Sequence, residues 1–187
     1  MPYPSITLAR MRTVVLGTPP VELERLIALR RATGADLYDE VWDGEYHMAP
    51  AAHGAHGDLD GQLSGLLRTH ARRIGLVESG PFNLGDGPNN FRVPDRGLRE
   101  RANKVWFDTA ALVVEIVSPH DESWEKMPFY AAHQVGEIVV VDPRDRSVAW
   151  LRLSDGAYQR VDRSPLLDID VADVAAQIDW PPAGDED

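Results

Sequence analysis

Hydrophobic residues recur along this chain with two different periods, and each period predicts a type of secondary structure. Leu23, Leu26 and Ile27 recur at helical spacing between Pro20 and Gly34, and longer stretches repeat the same spacing further along the chain. Other stretches are alternating or continuously apolar, which is typical of strands. The predicted helices cover 21–31, 53–74, 122–135 and 169–178, and the predicted strands cover 37–42, 45–48, 76–84, 91–95, 110–117, 137–141, 148–153 and 158–161.

Two Asp-Gly pairs, at 43–44 and 155–156, separate neighbouring predicted strands and predict tight hairpins. The strands over 110–117 and 137–141 are almost continuously apolar, which is typical of central strands buried on both faces. The segment 96–108 is polar and is expected to be a loop. The order of elements predicts an α/β fold, with a mixed β-sheet flanked by helices.

Composition predicts a single domain over 1–187, with an acidic, solvated tail at 181–187. Of the 187 residues, 43% are hydrophobic and none is cysteine, so disulfides and thiolate metal sites are excluded. No apolar run approaches the ~18 residues of a transmembrane helix, and the first residues lack a signal-peptide pattern. A cytoplasmic location is therefore expected.

The formal net charge of -11 argues against a protein that coats nucleic acid, because phosphate contacts need Lys and Arg. It does not exclude a nuclease, since part of that charge would be neutralised if carboxylates bind a cation. A basic segment holds Arg96, Arg99, Arg101 and Lys104. This segment could contact a phosphate backbone or could be an ordinary solvated loop, and the sequence favours neither interpretation.

Glu115 lies inside the apolar strand 110–117, where a carboxylate is costly unless it is paired or binds a metal. Pairing with an arginine at the sheet end is the alternative. Asp95 follows Val93-Pro94 at the end of another predicted strand, although an aspartate after proline is also common in turns. The two carboxylates can converge on one Mg²⁺, which prefers one or two carboxylates plus water and phosphate oxygens.

Lys126 lies about one turn into the helix that follows the Glu115 strand. An ammonium there would orient or deprotonate a water held by the cation and offset phosphate charge. The alternative is a solvated lysine paired with Glu122, four residues earlier.

Several motifs follow one another in an order that is more specific than any one of them. Val-Pro-Asp lies at 93–95, Leu-Val-Val-Glu-Ile-Val-Ser-Pro at 112–119 and Gly-Glu-Ile-Val-Val-Val-Asp-Pro at 136–143, after an opening block at 38–45. Together they resemble the Uma family of putative restriction endonucleases, in the PD-(D/E)XK nuclease superfamily, over about 38–153. The resemblance implies a restriction-endonuclease-like fold and hydrolysis of DNA phosphodiesters with Mg²⁺ or Mn²⁺.

The resemblance also implies roles for matching residues. Asp95 and Glu115 would be metal ligands, with the Ile116 carbonyl as a third, and Lys126 would supply the catalytic ammonium. The superfamily lysine normally follows the glutamate by two residues, where this chain has Val117. The further candidate catalytic residues are Glu40 and His53, which match recurrent positions of the family.

Other interpretations remain open at this stage. His53 and His56 invite a zinc site, but their spacing is one short of a helical metal pair, which favours a structural role. A non-catalytic interaction module on the same fold is the alternative function. Cleavage of both DNA strands would need two sites, so a homodimer is expected. Packing is favoured over base stacking for the aromatic residues Trp106, Trp124, Phe129 and Tyr130.

Overall fold

The computed structural model describes residues 20–49, 54–118 and 122–182 and arranges them as two larger sheets, one two-stranded sheet and flanking helices. The helices are α1 (Val21–Thr33), α2 (Gly54–Arg73), α3 (Met127–Ala132) and α4 (Val171–Gln177), and a 3₁₀ turn over Ser123–Lys126 leads into α3. The strands are β1 (Glu40–Trp42), β2 (Glu45–His47), β3 (Val77–Ser79), β4 (Asn83–Gly87), β5 (Asn90–Arg92), β6 (Arg96–Arg99), β7 (Trp106–Phe107), β8 (Leu112–Ile116), β9 (Glu137–Asp142), β10 (Ser147–Ser154), β11 (Ala157–Arg160), β12 (Arg163–Ser164) and β13 (Ile169–Asp170).

The larger sheet has six strands in the order β11-β10-β9-β8-β6-β3. Strands β8 and β9 are parallel, while β6 runs antiparallel to β8. The second sheet has five strands in the order β2-β1-β5-β4-β7, and β12 pairs with β13. The predicted α/β fold with a mixed sheet is confirmed, and the second sheet is an addition that the hydrophobic pattern did not indicate.

Strand β8 lies at the centre of the molecule and is buried on both faces, as its continuous apolar sequence predicts. Leu112, Val114 and Ile116 pack on one face with residues of α2 and α4. Val113 and Val117 pack on the other face, with residues of the second sheet and α3. Because side chains alternate along a strand, Glu115 lies on the second face, between the two sheets.

The predicted hairpins and the first helix are confirmed. Asp43 and Gly44 have φ values of 50° and 90°, and Asp155 and Gly156 have 51° and 79°, as a type I′ turn requires. Helix α1 ends at Gly34 in the left-handed conformation, and none of its residues is buried. A polar contact attaches it to the residue before the β1–β2 hairpin, where Arg30 Nε donates to Asp39 Oδ2 at 2.6 Å.

The prediction of a polar loop over 96–108 is wrong, since the segment contains β6 and β7. The arginine at the start of β6 looks solvated in sequence, but Arg96 forms part-buried ion pairs with Glu78 of β3 and Asp60 of α2. Gly97 allows close packing, because a Cβ there would lie 2.6 Å from Phe82 Cε1 and 2.9 Å from the Leu112 carbonyl oxygen.

The predicted helix over 122–135 is shorter than expected. It divides into the 3₁₀ turn and α3, and it ends before Gln134, whose φ is 55°. The last predicted helix begins two residues later than expected, because Ile169–Asp170 pair with β12 instead. Among the described helices, none is long and apolar enough to cross a membrane.

Candidate active site

Asp95 and Glu115 meet where β6 and β8 run side by side. Arg96 pairs with Val114 in the antiparallel register, so the next position along brings Asp95 opposite Glu115. Asp95 Oδ2 accepts a hydrogen bond from the Ile116 amide at 2.7 Å, which fixes the carboxylate against the end of β8. The structure therefore brings together the three residues that the sequence analysis named as candidate metal ligands.

Glu115 is 2% exposed and has partners for both carboxylate oxygens. Lys126 Nζ donates to Oε2 at 3.0 Å, and the Tyr130 hydroxyl donates to Oε1. These partners replace the arginine that the alternative interpretation required. Tyr130 was assigned to packing on sequence grounds, and its role as a donor to Glu115 was missed.

The buried setting of Glu115 changes its protonation. Burial raises the pKa of Glu115 to about 8, the charges of Asp95 and Glu40 add to the rise, and the Lys126 charge and the Tyr130 hydrogen bond oppose it. Desolvation disfavours a lone carboxylate, and neighbouring carboxylates disfavour it further. Burial and the neighbouring carboxylates therefore make Glu115 harder to ionise than an exposed glutamate, although an ammonium lies beside it.

Lys126 points into the site. Its Nζ lies 2.9 Å from Glu40 Oε1 and 3.0 Å from Glu115 Oε2, and its side chain is 13% exposed. Burial lowers the pKa of Lys126, but the two carboxylates outweigh burial and hold that pKa above its ordinary value. The alternative of a solvated lysine paired with Glu122 is wrong, and Glu122 pairs instead with His47 Nδ1 at 3.1 Å.

His56 contacts the other side of Asp95 from the first turns of α2. Its Nε2 lies 3.0 Å from Asp95 Oδ1, and its Nδ1 lies 3.3 Å from Ser118 Oγ. The sequence analysis weighed His56 only with His53 and did not connect it to Asp95, because the helix and the strand are far apart in sequence. His53 lies outside the described residues.

The donor set suits a hard divalent cation. Two carboxylates and a main-chain carbonyl at a strand end are oxygen ligands, which Mg²⁺ and Mn²⁺ prefer. In the described ranges, no group of three or more His, Asp or Glu side chains is placed to hold a metal ion. Asp95 and Glu115 would then share a cation with water and with oxygens of the substrate.

The basic segment after Asp95 is largely engaged within the protein. Arg96 is held by Glu78 and Asp60, the Arg99 guanidinium lies 4.0 Å from the centre of the Phe107 ring, and Lys104 pairs with Asp108 at 2.9 Å. The phosphate-contact interpretation is therefore wrong for Arg96.

The aromatic residues divide between packing and the surface. Phe129 packs against the core, while Trp124 is 55% exposed, contrary to its assignment to packing. Trp42 was not singled out in the sequence, yet its Nε1 donates to Glu40 Oε2 at 2.6 Å.

Comparisons with known proteins give one family and a similar fold. The family model described as "Uma2: Putative restriction endonuclease" matches residues 22–177. A crystal structure described as a putative nuclease belonging to DUF820, from Anabaena variabilis ATCC 29413, is similar with a TM-score of 0.60. It is 14% identical, and the likeness covers 74% of this chain and 90% of that chain. No curated protein matches this chain.

Proposed function

Since the chain belongs to the Uma2 family of putative restriction endonucleases, we propose that it hydrolyses DNA phosphodiester bonds with Mg²⁺ or Mn²⁺ at Asp95 and Glu115. The observation that supports this proposal most directly is the placement of these carboxylates at adjoining strand ends, with a buried ammonium beside Glu115. Glu40, Glu115 and Lys126 share one buried volume, and clusters of buried ionisable groups of this kind are concentrated at functional sites.

The two carboxylates would hold the cation together with the Ile116 carbonyl. A bound divalent cation polarises a phosphate and lowers the pKa of a water that it binds. Asp95 is held by the Ile116 amide and by His56, so its orientation is set before a metal arrives. Glu115 would exchange its proton for the cation.

Lys126 would act as a charge and not as a base. Its pKa is raised, because the attraction of Glu115 and Glu40 outweighs the effect of burial, so the ammonium keeps its proton at neutral pH. A protonated lysine cannot remove a proton from water, but it orients water and offsets charge on the phosphate. Of the two roles that the sequence left open for Lys126, we propose the orienting one.

A non-catalytic interaction module on the same fold is the competing function. The net charge of -11 favours it, because DNA repels an acidic surface.

Cleavage of both strands by one kind of site needs two copies, so the nuclease proposal also includes a homodimer on DNA.

Metal titration of plasmid and linear duplex cleavage tests the proposal, with wild type compared with Glu115→Ala and Asp95→Asn. We expect cleavage by wild type in Mn²⁺ or Mg²⁺, none in EDTA, and a loss of about 100-fold or more in both variants. Glu125→Gln is the control, because Glu125 is an exposed carboxylate in the 3₁₀ turn. If wild type shows no metal-dependent cleavage of DNA or RNA, the interaction-module function is favoured.

A further inference from the structure

Lys126 reaches the site from a 3₁₀ turn, while Val117 occupies the strand position two residues after Glu115. A lysine has a flexible four-carbon stem and loses rotamer entropy when it is held in place. In the metal-free protein, Glu115 is one of the groups that contact the Lys126 ammonium. A cation bound to Glu115 would weaken this contact, so another group must retain the ammonium in the site.

We infer that Glu40 is a positioning residue, which keeps the Lys126 ammonium in the site when a cation occupies Glu115, and that Trp42 sets the orientation of Glu40. The inference rests on the proposed nuclease function for its catalytic consequence. The contact itself belongs to the metal-free protein and is tested there.

Glu40 is placed to hold the lysine. It is 5% exposed, and its Oε1 lies 2.9 Å from Lys126 Nζ. A buried carboxylate beside a buried ammonium is strongly attracted to it, because little water screens the pair. The contact between Glu40 and the ammonium does not involve Glu115, so Glu40 keeps it whichever partner Glu115 has.

The remaining contacts of Glu40 fix its orientation and leave little room for a metal. The Val93 amide donates to Oε1 at 2.7 Å, and the Trp42 indole donates to Oε2 at 2.6 Å. With Lys126 on Oε1 as well, three of about four acceptor positions of the carboxylate are filled. These donors suit a carboxylate that holds an ammonium and not a third metal ligand.

Trp42 is itself held in a column of stacked side chains. The His47 ring lies 4.3 Å from the Trp42 ring, and the Arg92 guanidinium lies 4.3 Å from it. Arg92 also lies 4.1 Å from the centre of the Phe129 ring in α3. The column connects the β1–β2 hairpin, which carries Glu40, to α3, which directly follows Lys126.

Three variants separate a positioning role from a metal-ligand role. Glu40→Gln removes the charge but keeps the shape, and Trp42→Phe removes the indole donor but keeps a ring for Arg92 and His47. Asp43→Asn is the matched control, because it removes one negative charge from the same hairpin at an exposed position. Asn tolerates the φ of 50° found there.

The kinetic and binding measurements are Mn²⁺ titration calorimetry and the kcat and KM of duplex cleavage. We expect Glu40→Gln to lower kcat by about 10-fold or more, with KM and Mn²⁺ affinity no more affected than in Asp43→Asn. Trp42→Phe should lower kcat by a smaller factor. If Glu40→Gln instead weakens Mn²⁺ binding well beyond the control, Glu40 is a metal ligand and the inference is overturned.

The metal-free measurement is ¹⁵N NMR of lysine side chains, with Lys126→Met to assign the signal. A buried, paired ammonium exchanges its protons slowly, so wild type and Asp43→Asn should give a resolved Lys126 signal that Glu40→Gln loses.

Thermal melts should show that the effects of Glu40→Gln and Lys126→Met are not additive. Additive melts with an unchanged signal overturn the inference. Absence of cleavage by wild type would defeat only the proposed function, because these metal-free results stand alone.

Discussion

Glu115 carries the clearest consequence of burial in this protein, because its neighbours control its proton. An exposed glutamate is ionised at pH 7, but burial, with Asp95 and Glu40 close by, raises the pKa of Glu115 from an ordinary 4.5 to about 8. The Tyr130 hydroxyl and the Lys126 ammonium are its donors. The folded protein therefore binds a proton at Glu115 more tightly than the unfolded chain does.

The stability of the metal-free protein should therefore depend on pH through this residue. Between about pH 4.5 and pH 8, the unfolded chain ionises at Glu115 while the folded protein does not, so this contribution falls as pH rises and levels off above 8. Glu115→Gln removes the contribution, so the variant should gain roughly 2–4 kcal/mol relative to wild type across that range.

Urea titrations of wild type and Glu115→Gln at pH 5, 7 and 9, in EDTA, measure this difference. At pH 9 the variant should be at least as stable as wild type. A stability difference between the variant and wild type that stays constant from pH 5 to pH 9 would mean that folding does not change the ionisation of Glu115, which contradicts the raised pKa.

His56 offers a second prediction at the scale of a single residue. Its Nε2 contacts Asp95 Oδ1, and a neighbour that orients a ligand typically affects metal affinity by about 10–100-fold. His56→Asn should therefore weaken Mn²⁺ binding by about 10-fold in titration calorimetry. His70→Asn, further along α2, is the control and should bind Mn²⁺ as wild type does. Equal affinity for both variants would remove His56 from the site.

Single residues differ in how visible their roles are in the sequence. Asp95 and Glu115 stand out because a carboxylate is unusual beside or inside an apolar strand. Tyr130 and Trp42 do not stand out, since an aromatic residue in an apolar segment is usually core. Their hydrogen bonds depend on which strand and helix they meet, and that is set by the tertiary fold.

Among the elements, α2 combines a buried apolar face with an exposed face that is rich in glycine. Leu59, Leu63 and Leu67 are buried, while Gly61 and Gly65 are exposed. A Cβ at either glycine would meet nothing within 4 Å. Glycine in a helix interior costs about 1 kcal/mol relative to alanine, because the unfolded chain loses more freedom. The helix therefore forms chiefly because of its leucine face.

Gly61→Ala should raise the free energy of unfolding by about 0.5–1 kcal/mol, as measured by urea titration. Gly97→Ala in β6 is the opposite case, because its Cβ would lie 2.6 Å from Phe82 Cε1 and 2.9 Å from the Leu112 carbonyl oxygen. Gly97→Ala should lower the free energy of unfolding by about 1–3 kcal/mol. If Gly61→Ala is also destabilising, the glycine-rich face of α2 is covered in solution.

Elements with local signals were predictable, and those that depend on distant partners were not. The hairpins at 43–44 and 155–156 follow from turn chemistry, and β8 follows from its apolar run. Strand β6 was missed because Arg96 looks solvated until Glu78 and Asp60 are brought to it. The 3₁₀ turn before α3 was not visible because both helix types share similar spacing over so few residues.

At the scale of the whole molecule, charge decides how DNA could bind. The net charge is -11, and several cations near the site are already engaged by the protein. Arg96 pairs with Glu78 and Asp60, Arg92 is stacked between rings, and Lys126 is held by carboxylates. The described part of the chain therefore has little free positive charge beside Asp95 and Glu115, and a bound cation would supply the attraction that phosphate needs.

DNA binding should accordingly depend on metal before any cleavage occurs. We expect wild type to bind a fluorescent duplex weakly in EDTA and at least about 10-fold more tightly in Mn²⁺, because the cation both neutralises carboxylates and contacts phosphate. Asp95→Asn removes a proposed metal ligand and should bind weakly under both conditions. Fluorescence anisotropy at low temperature, over a series of salt concentrations, gives these affinities before cleavage becomes appreciable.

Each phosphate neutralised by Lys or Arg steepens the loss of affinity with salt. Tight binding in EDTA with a steep salt dependence would contradict the prediction, because a basic surface elsewhere on the molecule would then dominate DNA binding.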